Sequence, residues 1–194
     1  MRRALLLSAA VLLAGCSSTA GGSTPERPSP SRSAGVPLLG LADLPAGWST
    51  RAVAADAAAS PGVCGRPRPS GGVRSSAVFE RGTSEQLAES VLTFPTAAAA
   101  QAAFALELAA RHSCTAYDNN GVTLTLRDLP LQPVAPQQIS FAGTTTVSGR
   151  AFEVDAAVLL TGTSLVGITE QGLAPLTPGL LPSTLARATQ LVQA

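Results

Sequence analysis

The stretch from Glu89 to Tyr117 constrains this chain more than any other part of it. Ser90-Val91-Leu92-Thr93-Phe94 reads as a strand, and Pro95 stops it, since proline has no N–H to donate to a ladder. Thr96 then stands where its hydroxyl accepts an amide of the first turn of a helix running from Ala97 to about His112. Ala97, Ala100, Phe104, Leu108 and Arg111 recur at helical spacing, with Phe104 and Leu108 as the large core-facing residues. The four consecutive alanines combine high helix propensity with little bulk, so this helix can lie close on a sheet. Cys114 closes it off.

Around that unit the chain alternates short strands with tight turns. Arg74 to Arg81 and Gln86 to Phe94 read as a hairpin about Gly82-Thr83-Ser84. Thr115 to Asp118 and Val122 to Arg127 flank Asn119-Asn120-Gly121, a strong turn signal. Gln137 to Val147, Ala151 to Leu160 and Ser164 to Glu170 read as three more strands, linked by Gly149-Arg150 and Gly162-Thr163. From about Leu180 a closing helix places Leu181, Leu185, Ala188 and Val192 on one face, with Pro182 tolerated in its first turn. Strands joined by tight turns predict an antiparallel sheet with helices packed on it, an α+β domain.

The N-terminus carries the most specific motif. Arg2 and Arg3 form a basic n-region and Ala4 to Leu12 an apolar run, shorter than the about 20 residues a membrane-spanning helix needs. Leu13-Ala14-Gly15-Cys16 follows, a leucine three residues before a cysteine with two small residues between. That is the bacterial lipobox, and it predicts cleavage before Cys16 and lipidation of its thiol. The expected organisation is a signal peptide over 1–15, a Ser/Gly/Pro-rich disordered tether over 16–35 and one domain over 36–194. The expected location is the extracytoplasmic face of the cell membrane, held by the lipid.

The thirteen basic residues are all arginine, and loss of Arg2 and Arg3 leaves eleven against twelve acidic residues. With no basic run or face, nucleic-acid binding is disfavoured. Lipidation of Cys16 leaves Cys64 and Cys114, an even pair in an oxidising compartment, which predicts a disulfide. A metal centre lacks ligands, because His112 is the only histidine, and no CxxC redox motif occurs.

Candidate chemistry is sparse. His112 stands at a helix end, where a cation interacts with the last carbonyls. Glu153 and Asp155 share a strand face and read as solvated, with an acidic pair as the alternative. Arg66 and Arg68 flank Pro67 near Cys64 and read as a solvated loop, with an anion contact as the alternative. Trp48, Phe79, Phe94, Phe104, Phe141 and Phe152 read as core. No nucleophilic elbow of the Gly-x-Ser-x-Gly type is present. The expectation is a protein that is not an enzyme and holds no cofactor.

Asp43-Leu44-Pro45-Ala46-Gly47-Trp48, then Cys64, then Phe94-Pro95-Thr96 leading into Ala97 to Ala100, then the helix ending at Cys114, resembles the PknH-like extracellular sensor domain family. The family includes the sensor domain of a mycobacterial serine/threonine kinase and free-standing actinobacterial lipoproteins. The resemblance runs from about Leu38 to the C-terminus and implies an antiparallel α+β domain with a cleft for a small ligand. Many members carry two disulfides and a Trp just before the helix-end cysteine, where this chain has Arg111-His112-Ser113. The function this implies is non-catalytic binding or sensing of an envelope component by a membrane-anchored lipoprotein. A carrier of a lipid or other apolar molecule, and a structural envelope partner without a small ligand, are the alternatives.

Overall fold

Local signals place the elements, and pairing across the chain assembles them. The structure is a computed structural model and describes residues 35–52, 62–119 and 122–194. The lipobox, Cys16 and the tether lie outside the described residues apart from its last residue, Gly35, as do Asn120-Gly121 of the turn expected there. In chain order the strands are β1 (Ser49–Arg51), β2 (Val73–Arg81) and β3 (Glu85–Thr93), then helix α1 (Ala97–His112). Then come β4 (Ala116–Asn119), β5 (Val122–Asp128), β6 (Gln138–Val147), β7 (Arg150–Thr161) and β8 (Ser164–Leu173), and α2 (Leu180–Gln193) closes the series. Among the described residues, 3₁₀ turns at Leu41–Asp43 and Val63–Gly65 interrupt the connecting segments.

All the strands join one antiparallel sheet of eight, in the order β1-β2-β3-β8-β7-β6-β5-β4. The α+β class, both helices and the Cys64–Cys114 disulfide expected from the sequence are all present. Tight turns carry the hairpins. Gly82 at φ 60° bends β2 into β3, and Gly162 at φ 58° bends β7 into β8, conformations open to glycine without a Cβ clash. The β6–β7 turn uses Ser148 and Gly149, one residue earlier than the sequence suggested, both with positive φ as a two-residue hairpin requires.

Period-two alternation gives the sheet two faces, each closed by its own helix. On one face the cross-strand rows Val91–Val166–Leu159 and Leu87–Glu170–Asp155 lie beneath α2, whose Leu181, Leu185 and Ala188 point inward. The segment from Val36 to Trp48 packs into the same core. On the other face Leu92–Leu165–Leu160 and Phe141–Ala156 meet Ala100, Ala103 and Phe104 of α1. Leu87, Val91, Leu159, Val166 and Ile168 are fully buried, and each such side chain contributes about 1.5–3 kcal/mol.

Helix α1 begins as its sequence implies. The Thr96 hydroxyl accepts the Ala99 N–H at 3.1 Å. Thr96→Ala should therefore lower stability by about 1 kcal/mol, seen as a fall in the urea midpoint at unchanged slope. Its inward face differs in part from the expected one: Ala100, Phe104 and Arg111 are buried as expected, but Ala97 is exposed, Leu108 is only half-buried, and Glu107 is buried. The Glu107 carboxylate accepts from the Val63 N–H, and the Arg111 guanidinium donates to the Cys114 carbonyl and to Asp128.

Candidate functional site

The segment after residue 61 has little regular structure and is held by three attachments. The Cys64–Cys114 bond, with Cα atoms 6.2 Å apart, joins it to the end of α1. The Glu107 carboxylate accepts the Val63 N–H at 2.9 Å, reaching from the middle of α1. Arg68 donates to the Ser90 hydroxyl on β3 at 3.0 Å. Gly62 is needed at the second attachment, since a Cβ there would stand 3.0 Å from Glu107 Oε1 and 3.1 Å from the Arg66 carbonyl.

Between this pinned segment and the C-terminal half of α1 lies a cleft of about 450 Å³. Pro67, Pro69, Leu106 and Ala110 supply its apolar walls, and Arg66, Glu107 and Ser113 its polar groups. Arg66, Pro67, Leu106 and Ala109 are exposed, so the cleft opens to solvent. Leu106 is 64% exposed and adds an apolar side chain to the open wall of the cleft. Beside the cleft, burial draws the Arg68 guanidinium below its ordinary range and Arg74 adds to that, while Glu107 opposes it. The site thus offers a cation and a carboxylate against an apolar wall.

The sequence candidates separate on the structure. Arg66 lines the cleft, and Arg68 is half-buried on Ser90 rather than solvated. His112 is exposed, and the helix-end role falls to Arg111, which donates to the Cys114 carbonyl at 3.0 Å and to Asp128 at 2.5 Å. The Ser113 hydroxyl donates to the Ala110 carbonyl, not to the neighbouring histidine. Among the described residues, no group of three or more His, Cys, Asp or Glu is arranged to hold a metal. Of the aromatics, Trp48, Phe79, Phe94, Phe104 and Phe141 are core and Phe152 is half-buried. Glu153 and Asp155 do share a face, but both are half-buried, and Asp155 sits directly opposite Glu170 on β8.

That last pairing belongs to a second concentration of charge, on the α2 face, which sequence reasoning missed. Glu89 and Glu170 are each 1% exposed. Glu89 Oε2 accepts the Leu39 N–H at 2.7 Å, while Oε1 is buried with no partner among the described residues. Burial pushes the Glu89 carboxyl up to about 7, partly offset by the Leu39 bond and reinforced by Asp43. Burial, with the adjoining Glu85, pushes Glu170 up to about 8. The available signal was the alternation itself: Glu89 falls between inward Leu87 and Val91, and Glu170 follows inward Val166 and Ile168.

An antiparallel sheet with a helix on each face and a disulfide-pinned cleft against one of them describes a class of domain. A solved structure with a similar fold is the extracellular domain of PknH from Mycobacterium tuberculosis, at a TM-score of 0.52 and 15% sequence identity. The match covers 64% of this chain and 66% of that one, so it spans just under two thirds of the neighbour's length. A protein from Bacteroides thetaiotaomicron is similar at a TM-score of 0.43 and 9% identity, over 73% of this chain and 41% of that one. No family model and no curated protein matches the chain. Among the described residues, no helix is long and apolar enough to cross a membrane.

Proposed function

We propose that this protein is a lipid-anchored extracytoplasmic domain that binds and senses a component of the cell envelope without catalysing its conversion. The observation that carries the reading is the cleft between α1 and residues 66–69, a segment joined to the end of α1 by the disulfide, furnished with Arg66 and Glu107 on an apolar wall. Its support comes from three directions. The lipobox ending at Cys16 supplies an anchor, the disulfide suits an oxidising compartment, and the fold is that of a domain described as extracellular. Binding is favoured over carriage of an apolar molecule because the cleft is open and mixed in polarity, whereas both faces of the sheet beneath the helices are filled by side chains.

Two experiments test the two halves of this reading. Cys16→Ser should move the chain out of the detergent-extracted membrane fraction and abolish incorporation of a fatty-acid probe; retained labelling would remove the anchor. For the cleft, native mass spectrometry of the chain extracted from its own membranes should show a co-purifying molecule. Ala109→Trp, which places a bulky ring at an exposed position on the cleft wall, should displace that molecule with little effect on folding. A bound molecule unaffected by Ala109→Trp would place binding elsewhere, and no bound molecule would favour a structural envelope role.

A further inference from the structure

The connection from β8 to α2 is tied at its start, where the Ala174 N–H donates to the Ala151 carbonyl at 3.1 Å, and again at Thr177. Thr177 N–H points at two carboxyl groups at once, 3.2 Å from Glu85 Oε1 and 3.0 Å from Glu170 Oε1. The Thr177 hydroxyl donates to the same Glu85 oxygen at 2.7 Å and accepts from Arg81 at 2.5 Å. Arg81 also forms an ion pair with Glu85 and lies over the Trp48 ring, 5.5 Å from its centroid. Two carboxyl oxygens sharing one N–H are too close for both groups to carry charge in a buried setting, as in other carboxyl pairs that hold a single proton. Their contacts divide the roles. Glu85 has the arginine and the hydroxyl donor and is held below the usual carboxylate range by Thr177, Glu170 and Arg81 against burial. Glu170 is buried, and among the described residues it forms no ion pair.

We propose that Glu85 and Glu170 hold one proton between them, and that this protonated pair is a latch fixing residues 175–179 and the start of α2 onto the sheet. When the proton leaves to solvent, the two carboxylates repel each other and no longer share the Thr177 N–H, and the segment is released, drawing Arg81 away from Trp48. The surroundings reinforce the effect. Asp155 faces Glu170 from β7 with Glu153 beyond it, and the nearest cation along that row is Arg127 on β5, facing Asp155 across Ala142. From α2 no acidic residue lies in the first turn, and its Arg187 is paired with Asp43, which faces the neighbouring Glu89. The latch lies on the face opposite the cleft and does not depend on any ligand there.

Trp48 is the only tryptophan, so its emission reports on the latch in the full chain in detergent. Raising the pH from about 6 to about 9.5, below the ordinary tyrosine range, should produce an emission step. That step should be centred near pH 8. Glu170→Gln keeps a hydrogen-bonding group with no proton to lose, and should abolish the step. Glu85→Gln removes the neighbouring charge and should lower the midpoint by roughly one unit or more. A wild-type chain with no step in this range overturns the latch, as does a step that Glu170→Gln leaves in place. A step removed only by Glu89→Gln belongs to the Leu39 contact and also overturns it. Should Glu170→Gln fail to fold, the Glu85→Gln midpoint decides, and an unmoved value overturns the proposal.

Discussion

Replacing Cys64 or Cys114 by alanine is expected to destabilise the domain by about 2–4 kcal/mol, read from urea denaturation of oxidised wild type and each variant. The bridge closes a loop with a sequence separation of 50, for which the chain-entropy relation sets an upper value near 4 kcal/mol. The two single variants should match, and the double variant should cost little more, because all three remove one cross-link. Reduction of the wild-type protein should reproduce the loss. The cleft should suffer more than the sheet, since Cys64 lies in the irregular segment that forms one of its walls while the strands keep their ladders. A reductant that leaves the urea midpoint unchanged would show that Glu107 and Arg68 hold that segment without the sulfur bridge.

Folding stability is expected to fall as pH rises from about 4.5 to neutrality, the reverse of the usual behaviour of ion-paired carboxylates. Glu89 carries the argument. Its folded-state pKa lies near 7 against an ordinary value of 4.5, so across that window the native state binds more protons than the unfolded chain. Stability present below 4.5 is therefore lost as pH climbs through the folded value, by about 3 kcal/mol at full ionisation. Glu170 pushes in the same direction to about pH 8. Asp43 and Glu85, both held low by their partners, act oppositely and erode stability only on the acid side. The maximum should stand on the acid side of neutrality, and Glu89→Gln should flatten the slope between pH 5 and 7. A variant that keeps the wild-type slope would show that Glu89 is not the titrating group.

What the sequence made legible was local. Pro95, Thr96 and the alanines specified α1 because a stop, a cap and a propensity act within a few residues. Gly82 and Gly162 marked two hairpins for the same reason. Strand β1 was not legible as such, because Ser49-Thr50-Arg51 is wholly exposed and carries no alternating pattern. Nor was the division of the helices between two faces, which depends on β3 pairing with β8 across the whole intervening chain. The cleft was legible only in part. Cys64, Cys114 and Arg66 could be picked out by residue type, but Glu107 sits in mid-helix where a glutamate ordinarily faces solvent. Its role exists only once Val63 N–H is brought beneath it. His112 drew attention by its rarity, yet Arg111, one residue earlier, has the length to reach both Cys114 and Asp128.

The seam between β3 and β8 also sets an order of assembly. Strands β1 to β3 and β4 to β8 are two runs of neighbours that can zip up from nearby residues, but Thr93 meets Ser164 and Glu85 meets Gly172 only when the two runs come together. The strand at the middle of the sheet is the one that follows all the others in the chain. Until it arrives, β3 presents a nine-residue edge with Leu87 and Val91 uncovered, the kind of surface that pairs with other chains. Contacts so distant in sequence close slowly, so the joining of the two halves should limit the rate at which this domain folds. A chain interrupted before Ser164 keeps every local hairpin of its earlier strands and still lacks the piece that makes them one sheet.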